Sequence, residues 1–310
     1  MLGIVLLAAC AESPTEPPPK PPEPEPEWVY EGKWGSKGTA NGQFDRPSGV
    51  AVAPNGNVYV ADTWNNRIQY FTAAGSFLGK WGSPGSGDSQ FESPRAVAVA
   101  AERGTVYVAD TGNHRIQFFT SSGSHVGKWG SFGTRNGELM CPEGVTIAPN
   151  GNVYVSDTAN HRVQYFTASG SYLGKWGSQG SGEGQFDQPS GVGASAGNQV
   201  YVVEYYGHRI QYFKGDGTYV GGWGTRGSGN GQFEYPKGAA VAPDGNVYVA
   251  DKDNFRVQYF APTGSYLGKW GSRGTGDGYF NFPEGVAVAF NGDVYVADTY
   301  NNRIQYFRRK

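Results

Sequence analysis

Six times along the chain an acid stands five residues ahead of an arginine: Asp62 and Arg67, Asp110 and Arg115, Asp157 and Arg162, Glu204 and Arg209, Asp251 and Arg256, Asp298 and Arg303. Paired carboxylates and guanidinium groups are material for general acid–base work, but a catalytic centre needs one set. Six copies point to architecture: an acid at one end of a turn and a guanidinium fork at the other satisfy each other and the backbone between them. Histidine suggests metal chemistry, because His114, His161 and His208 occupy one position in three successive copies. Zinc holds nitrogens at about 2 Å, so two ligands of one ion lie within roughly 4 Å of each other. Equivalent positions on stacked sheets sit about 10 Å apart. One ion therefore cannot bridge the three rings, and neither a metal nor any other cofactor is expected.

These residues belong to a ten-residue phrase, DTWNNRIQYF at Asp62 to Phe71, whose copies are spaced 48 residues once and 47 residues four times. A second phrase, G-x-W-G, keeps the same beat at Trp34, Trp81, Trp129, Trp176, Trp223 and Trp270. A fixed period of this length marks a repeat architecture. Abundant Gly and aromatic residues, with two Cys and two Met in 310 residues, suit a glycine-turned all-β protein. Within one repeat the turn residues divide the chain into four short strands: Pro47 to Ala53, Asn57 to Asp62, Arg67 to Phe71 and Phe77 to Gly82. The second strand is apolar on both alternating faces, Val58 and Val60 against Tyr59 and Ala61, so its sheet must be covered on both sides. Sheets arranged radially around an axis meet that need. The last repeat stops at RIQYFRRK without a G-x-W-G strand, and the domain opens at EWVYEGKWGS with nothing before it. Three strands from one end and one from the other complete a blade and close a ring without open edges. The fold expected is all-β: a six-bladed β-propeller of four-stranded antiparallel blades over residues 28–310. The six Trp rings are expected to pack blade against blade.

The stretches NVYVADTWNNRIQYF, TVYVADTGNHRIQFF and NVYVSDTANHRVQYF, each preceded by a P-x-G-V-like strand and a Gly turn, resemble NHL repeats, which form six-bladed propellers. The resemblance covers residues 28–310 and specifies fold far more than function, since one superfold hosts many activities. NHL propellers include RNA-binding domains, sensor domains of bacterial kinases and a metal-dependent lyase of peptide amidation. The lyase resemblance implies metal-binding His near the central channel, whereas no His falls in any first strand here.

Specificity is expected where the copies disagree, on the loops of one face. The third position of the phrase runs Trp64, Gly112, Ala159, Tyr206, Asp253, Tyr300, so Trp64, Tyr206 and Tyr300 offer stacking or apolar recognition of a sugar or peptide. A Pro begins each innermost strand. The residues after it, nearest the channel mouth, are Ser48, Arg95, Glu143, Ser190, Lys237 and Glu284; those before it are Arg46, Ser93, Cys141, Gln188, Tyr235 and Phe282. This mixed ring suits a zwitterionic or peptide-like ligand, with Arg95 and Lys237 meeting carboxylates and Glu143 and Glu284 meeting amines; Arg46, Tyr235 and Phe282 flank it. The fourth copy departs furthest, with Glu204-Tyr205 in place of Asp-Thr, Gly207 in place of Asn, and no Pro-Asn-Gly turn in its first strand.

The first residues differ from all this. An apolar run from Leu2 ends in Leu7-Ala8-Ala9-Cys10, which matches a bacterial lipobox, and residues 11–27 are a Pro/Glu-rich linker. Cleavage would leave Cys10 as a lipid-modified N-terminus, with the linker extending roughly 3 Å per residue. An exported cell-envelope lipoprotein on the periplasmic or surface side is expected, acting as a monomer and touching the membrane through its anchor alone. Residues 1–27 hold five acids and one base, so of a net charge of −2 the rest carries +2. That near-neutral balance disfavours nucleic acid, and RNA binding rests on family analogy alone. The expected function is a binding or scaffold module for a protein, peptide or glycan of the envelope. The alternative is a hydrolase or lyase at the channel mouth, with Glu143 or Glu284 as base beside Lys237 or Arg95.

Overall fold

A computed structural model describes residues 28–102 and 104–310; the expectations for Cys10 and the linker lie outside the described residues. Six four-stranded antiparallel sheets stand around a central axis. Blade 1 is built from Pro47–Val52, Val58–Asp62, Arg67–Phe71 and Phe77–Trp81, ordered from the axis outward. Blades 2 to 5 repeat it with innermost strands Pro94–Val99, Pro142–Ile147, Pro189–Ala194 and Ala239–Val241. Blade 6 takes Pro283–Val288, Val294–Asp298 and Arg303–Arg309 from the C-terminus and Trp28–Trp34 from the N-terminus, which closes the ring. The innermost strand of blade 5 is short, but the ladder continues toward the mouth as Lys237 N–H donates to Ala250 O (2.9 Å) and Ala250 N–H to Gly238 O (3.0 Å). Blade 4, without its Pro-Asn-Gly turn, still closes its first hairpin: Asn198 takes φ 59° and its N–H donates to Ser195 O.

The second strands are buried along their whole length because each lies between two neighbouring sheets. Val58 and Val60 face blade 6, packing in one cluster with Tyr295 and Ala297. Tyr59 and Ala61 face blade 2 with Val97, Val106 and Val108, and the Tyr59 hydroxyl donates to Ser121 O across the interface. Fully burying a side chain of this size is worth about 2–3 kcal/mol, and every blade supplies several such residues to both neighbours. The Trp residues do pack blade against blade. Trp34 of blade 6 lies 5.6 Å from the ring of Phe71 in blade 1 and covers Gly75, where a Cβ would sit 2.6 Å from the indole. Gly75 has φ +86°, so the turn needs glycine for its conformation as well as for the space.

Between the second and third strands the phrase makes a short 3₁₀ turn whose last residue is left-handed, as at Asn66 (φ 51°) and His161 (φ 52°). Under this turn the repeated acid and arginine form a cage. Asp62 accepts from Arg67 Nε (2.6 Å), from Asn65, from Gln69 Nε2 (3.1 Å) and from the Asp45 N–H (2.8 Å). The Arg67 fork donates to the carbonyls of Thr39, Ala40 and Gln43, pinning the loop from the preceding blade. The cage recurs in all six blades, with Glu204 serving in blade 4. These pairs are architectural, as their number suggests.

Candidate functional site

The interblade loops and the turns of the phrase meet on one face, since in five blades the N–H at the phrase's third position donates to the loop residue two before the Pro, as in Trp64 to Asp45 O and Tyr300 to Asn281 O, and in blade 4 Tyr205 N–H donates to Gln188 O. The residue in between is forced into the left-handed region in every blade: Arg46, Ser93, Cys141, Gln188, Tyr235 and Phe282 have φ between 48° and 51°. For non-glycine residues such a conformation costs on the order of 1 kcal/mol or more, so something must hold it. In five blades its N–H is taken by a side chain of the preceding repeat. Asn302 receives Arg46 (2.9 Å), Asn66 receives Ser93 (2.8 Å), and the Nδ1 atoms of His114, His161 and His208 receive Cys141, Gln188 and Tyr235 at 3.0–3.3 Å. The histidines thus do the work of asparagines. His208, buried against Tyr235, is pushed below the usual imidazole range by that burial, which suits a neutral acceptor.

The residues after the Pro do ring the axis. Ser48, Arg95, Glu143, Ser190, Lys237 and Glu284 form the top rung of a narrow channel; the next rung is Gly49, Ala96, Gly144, Gly191, Gly238 and Gly285. A Cβ at Gly49, Gly144, Gly191, Gly238 or Gly285 would meet the neighbouring blade's backbone at 2.2–2.6 Å, so the inner strands converge there. Above this floor opens a cavity of about 310 Å³. Its lining contains four cations, Arg46, Arg95, Lys237 and Lys252, and two acids, Glu143 and Glu284, an excess of two positive charges. Arg95 lies 3.6 Å from Glu143 and 4.0 Å from Glu284, Lys237 is bonded to Glu143, and Lys252 is 3.7 Å from Glu284. Burial alone would raise the Glu143 carboxyl, but the charges of Lys237 and Arg95 override it and hold it below the ordinary carboxylate range. Burial lowers Lys252, and the Glu284 charge overcomes that to raise it. Both groups are therefore charged at neutral pH.

Arg46 stands apart. Among the described residues no carboxylate lies within ion-pair distance of it; its guanidinium sits 3.8 Å over the Trp64 ring and 4.5 Å from that of Tyr300. Two expected aromatics are thus brought together at the mouth. Tyr206 is not: it is half exposed on a separate recess of blade 4 and reaches the mouth only through its contact with Tyr205. Tyr235 packs in that same cluster, against Tyr205, Tyr206 and His208, while Phe282 is wedged between Phe255 and Tyr300. Neither lines the cavity. Tyr205 and Lys252 do line it; the sequence marked Tyr205 only as part of the fourth copy's departure, and Lys252 not at all. At their position, the second of the phrase, Thr63, Thr111 and Thr158 donate to the Pro carbonyl of the next blade at 2.7–2.8 Å. Blades 4 and 5 replace that threonine with residues that reach the mouth, where the Lys237 and Lys252 ammonium groups lie 4.7 and 5.4 Å from the Tyr205 ring. The signal was present: a column reading Thr, Thr, Thr, Tyr, Lys, Thr.

Comparison with known proteins agrees with this geometry at the level of fold. A gluconolactonase from Xanthomonas campestris superposes with a TM-score of 0.66 at 14% identity, over 93% of this chain and 99% of its own. A virginiamycin B lyase from Staphylococcus aureus gives 0.60 at 14% identity, over 92% and 100%. In sequence, 61 residues are 44% identical to the B-box type zinc finger protein ncl-1 of Caenorhabditis elegans, and 65 residues are 42% identical to Protein brain tumor of Drosophila melanogaster. These stretches cover 20% and 21% of this chain but 7% and 6% of those relatives. The NHL repeat model matches residues 44–71, 91–119, 139–166, 186–213, 233–260 and 280–307, one match per blade. With more than half of its residues so matched, the chain belongs to the NHL-repeat family.

Proposed function

We propose that this propeller is a binding module that holds an anionic group of a protein, peptide or glycan at the mouth of its channel. The observation that carries the reading is Arg46: a guanidinium without an acid partner, held between Trp64 and Tyr300 at the edge of a cavity that already has an excess of positive charge. An arginine stiffened by aromatic faces suits planar carboxylate recognition. The convergence of the inner strands at the glycine rung supports a ligand at the mouth over one deep in the channel. A place in the cell envelope is supported by Leu7-Ala8-Ala9-Cys10, with Cys10 as the lipid anchor.

A catalytic reading of the same mouth is less well supported. A general base works best with a pKa near the operating pH, and Glu143 is pushed the other way by Lys237 and Arg95. The likeness to a lactonase and a lyase is a likeness of fold.

The test is to titrate the protein with a uronic acid and with a peptide bearing a free C-terminal carboxylate, beside the neutral parent sugar and the amidated peptide. At least one carboxylate form should bind in preference to its neutral counterpart. Arg46→Gln should weaken it by about tenfold or more with an unchanged melting temperature, since blade 4 already carries Gln188 at that position. Equal binding of charged and neutral forms, or an Arg46→Gln variant that binds like wild type, would sink the proposal.

A further inference from the structure

Five blades share a contact that the sixth lacks. Asn65, Asn113, Asn160, Asn254 and Asn301 each donate Nδ2–H to a glycine carbonyl of the interblade loop, those of Gly38, Gly85, Gly133, Gly227 and Gly274, at 2.8–2.9 Å. In blade 4 the asparagine position is Gly207, and the corresponding carbonyl, that of Gly180, receives no hydrogen bond among the described residues. Glu204 accommodates the change in part. Its extra methylene carries Oε2 to within 2.5 Å of where a Cβ on Gly207 would stand, so the Asp-to-Glu and Asn-to-Gly replacements are one coupled exchange. What the exchange leaves beside Glu204 is a recess of about 410 Å³ lined by Gly180, Ser181, Asp187, Tyr206, Gly207 and Arg209, among others. The Arg209 side chain is 22% exposed there, against 7–8% for its five counterparts.

The polar groups left over in this recess are acceptors. Gly180 offers its carbonyl. Asp187 is half exposed, and its carboxylate accepts no hydrogen bond among the described residues, the His161 ring nitrogen lying 3.9 Å away. Arg209 is paired with Glu204 and has its fork on the carbonyls of Ser181, Gly182 and Gln185, which leaves Asp187 as the net charge of the recess. Tyr206 adds an exposed ring face to the same wall. A free carbonyl, an unneutralised carboxylate and an aromatic face are the three partners of an ammonium group. We propose that the blade 4 recess binds a primary ammonium group, as carried by a lysine side chain, with its N–H donors on Gly180 O and Asp187 and its charge against Tyr206. This site is separate from the anion site at the mouth and opposite to it in sign, and it stands or falls without it.

The blades themselves supply the test. Glu204→Asp together with Gly207→Asn restores the phrase of the other five blades, so this double variant should fold and close the recess. Ligand-observed NMR on the full chain with N-acetyl-lysinamide, beside its Nε-acetylated form, should show binding of the ammonium form alone. The double variant should weaken it by about tenfold or more, and so should Asp187→Asn, while Arg46→Gln leaves it unchanged. Equal binding of the acetylated form, or unchanged binding in a double variant that melts like wild type, would overturn the assignment. Should the double variant fail to fold, Asp187→Asn decides: wild-type affinity in that variant rejects the site.

Discussion

The cage beneath each 3₁₀ turn and the ring at the channel mouth are made from the same residue types, a few residues apart, on opposite terms. In the cage nearly every capacity is used: Asp62 takes donors from Arg67, Asn65, Gln69 and the Asp45 N–H, and Arg67 directs three further donors to carbonyls. At the mouth Arg95 is shared between two acids at 3.6 and 4.0 Å, and Arg46 has none. Saturated charges are fixed by the chain that surrounds them. Charges with capacity to spare are free to meet something from outside. The difference teaches which of two similar-looking acid and base sets to read as architecture, and it can be broken by mutation.

The largest effect is expected in the cage. Asp157→Ala leaves Arg162 buried with no acid, and removing one partner of a buried pair costs about 3–5 kcal/mol. Thermal or urea unfolding should show this loss, while ligand affinity at the mouth, measured on the fraction that remains folded, stays as it was. A drop in affinity with little loss of stability would erase the distinction between the two sets.

Glu143→Gln should differ by moving stability and affinity together. Glu143 and Lys237 are both largely buried, so breaking the pair should cost about 3 kcal/mol at neutral pH. The same change removes one of the two acids facing four cations, so anion affinity should rise. Its pH dependence has a definite sign. The folded-state pKa of Glu143 is depressed, so its contribution is whole above the unfolded value of about 4.3 and is lost as pH falls through the lower folded value. The gap between wild type and variant should therefore begin to close as pH falls below about 4.3, and a gap that does not narrow in acid would mean that the pair is not what separates them.

How much of this was legible follows from what repeats. The ring, its closure and the architectural role of the acid–arginine pairs could be read because six copies average out the accidents of any one. The mouth residues Arg95, Glu143, Lys237 and Glu284 could be placed because the Pro fixes where the inner strand starts. Three things were hidden. The pairing of Arg46 with Trp64 and Tyr300 depends on a left-handed residue before proline, a conformation that residue type does not announce. Tyr205 and Lys252 were masked because their position carries a structural threonine elsewhere. Tyr206 shares a column with Trp64 and Tyr300, whereas it lines a separate recess in blade 4, beside Gly207.

The smallest effect separates a repeated position from a singular one. His208 accepts the Tyr235 N–H with Nδ1, as Asn66 and Asn302 accept the equivalent N–H groups of Ser93 and Arg46. Its backbone is left-handed (φ 51°), a conformation asparagine tolerates better than most residues. His208→Asn should therefore be near neutral in stability at pH 7.5. The two proteins should part in mild acid. Burial depresses the folded-state pKa of His208, so the folded state resists a proton that the unfolded chain takes up at about pH 6.5, and wild type loses stability as pH falls below that value. The variant has no such proton to refuse and should be the more stable at pH 5.5, by under about 1 kcal/mol. Urea unfolding of both at the two pH values measures the difference, and a variant already destabilised at pH 7.5 would show that even the repeated scaffold is tuned blade by blade.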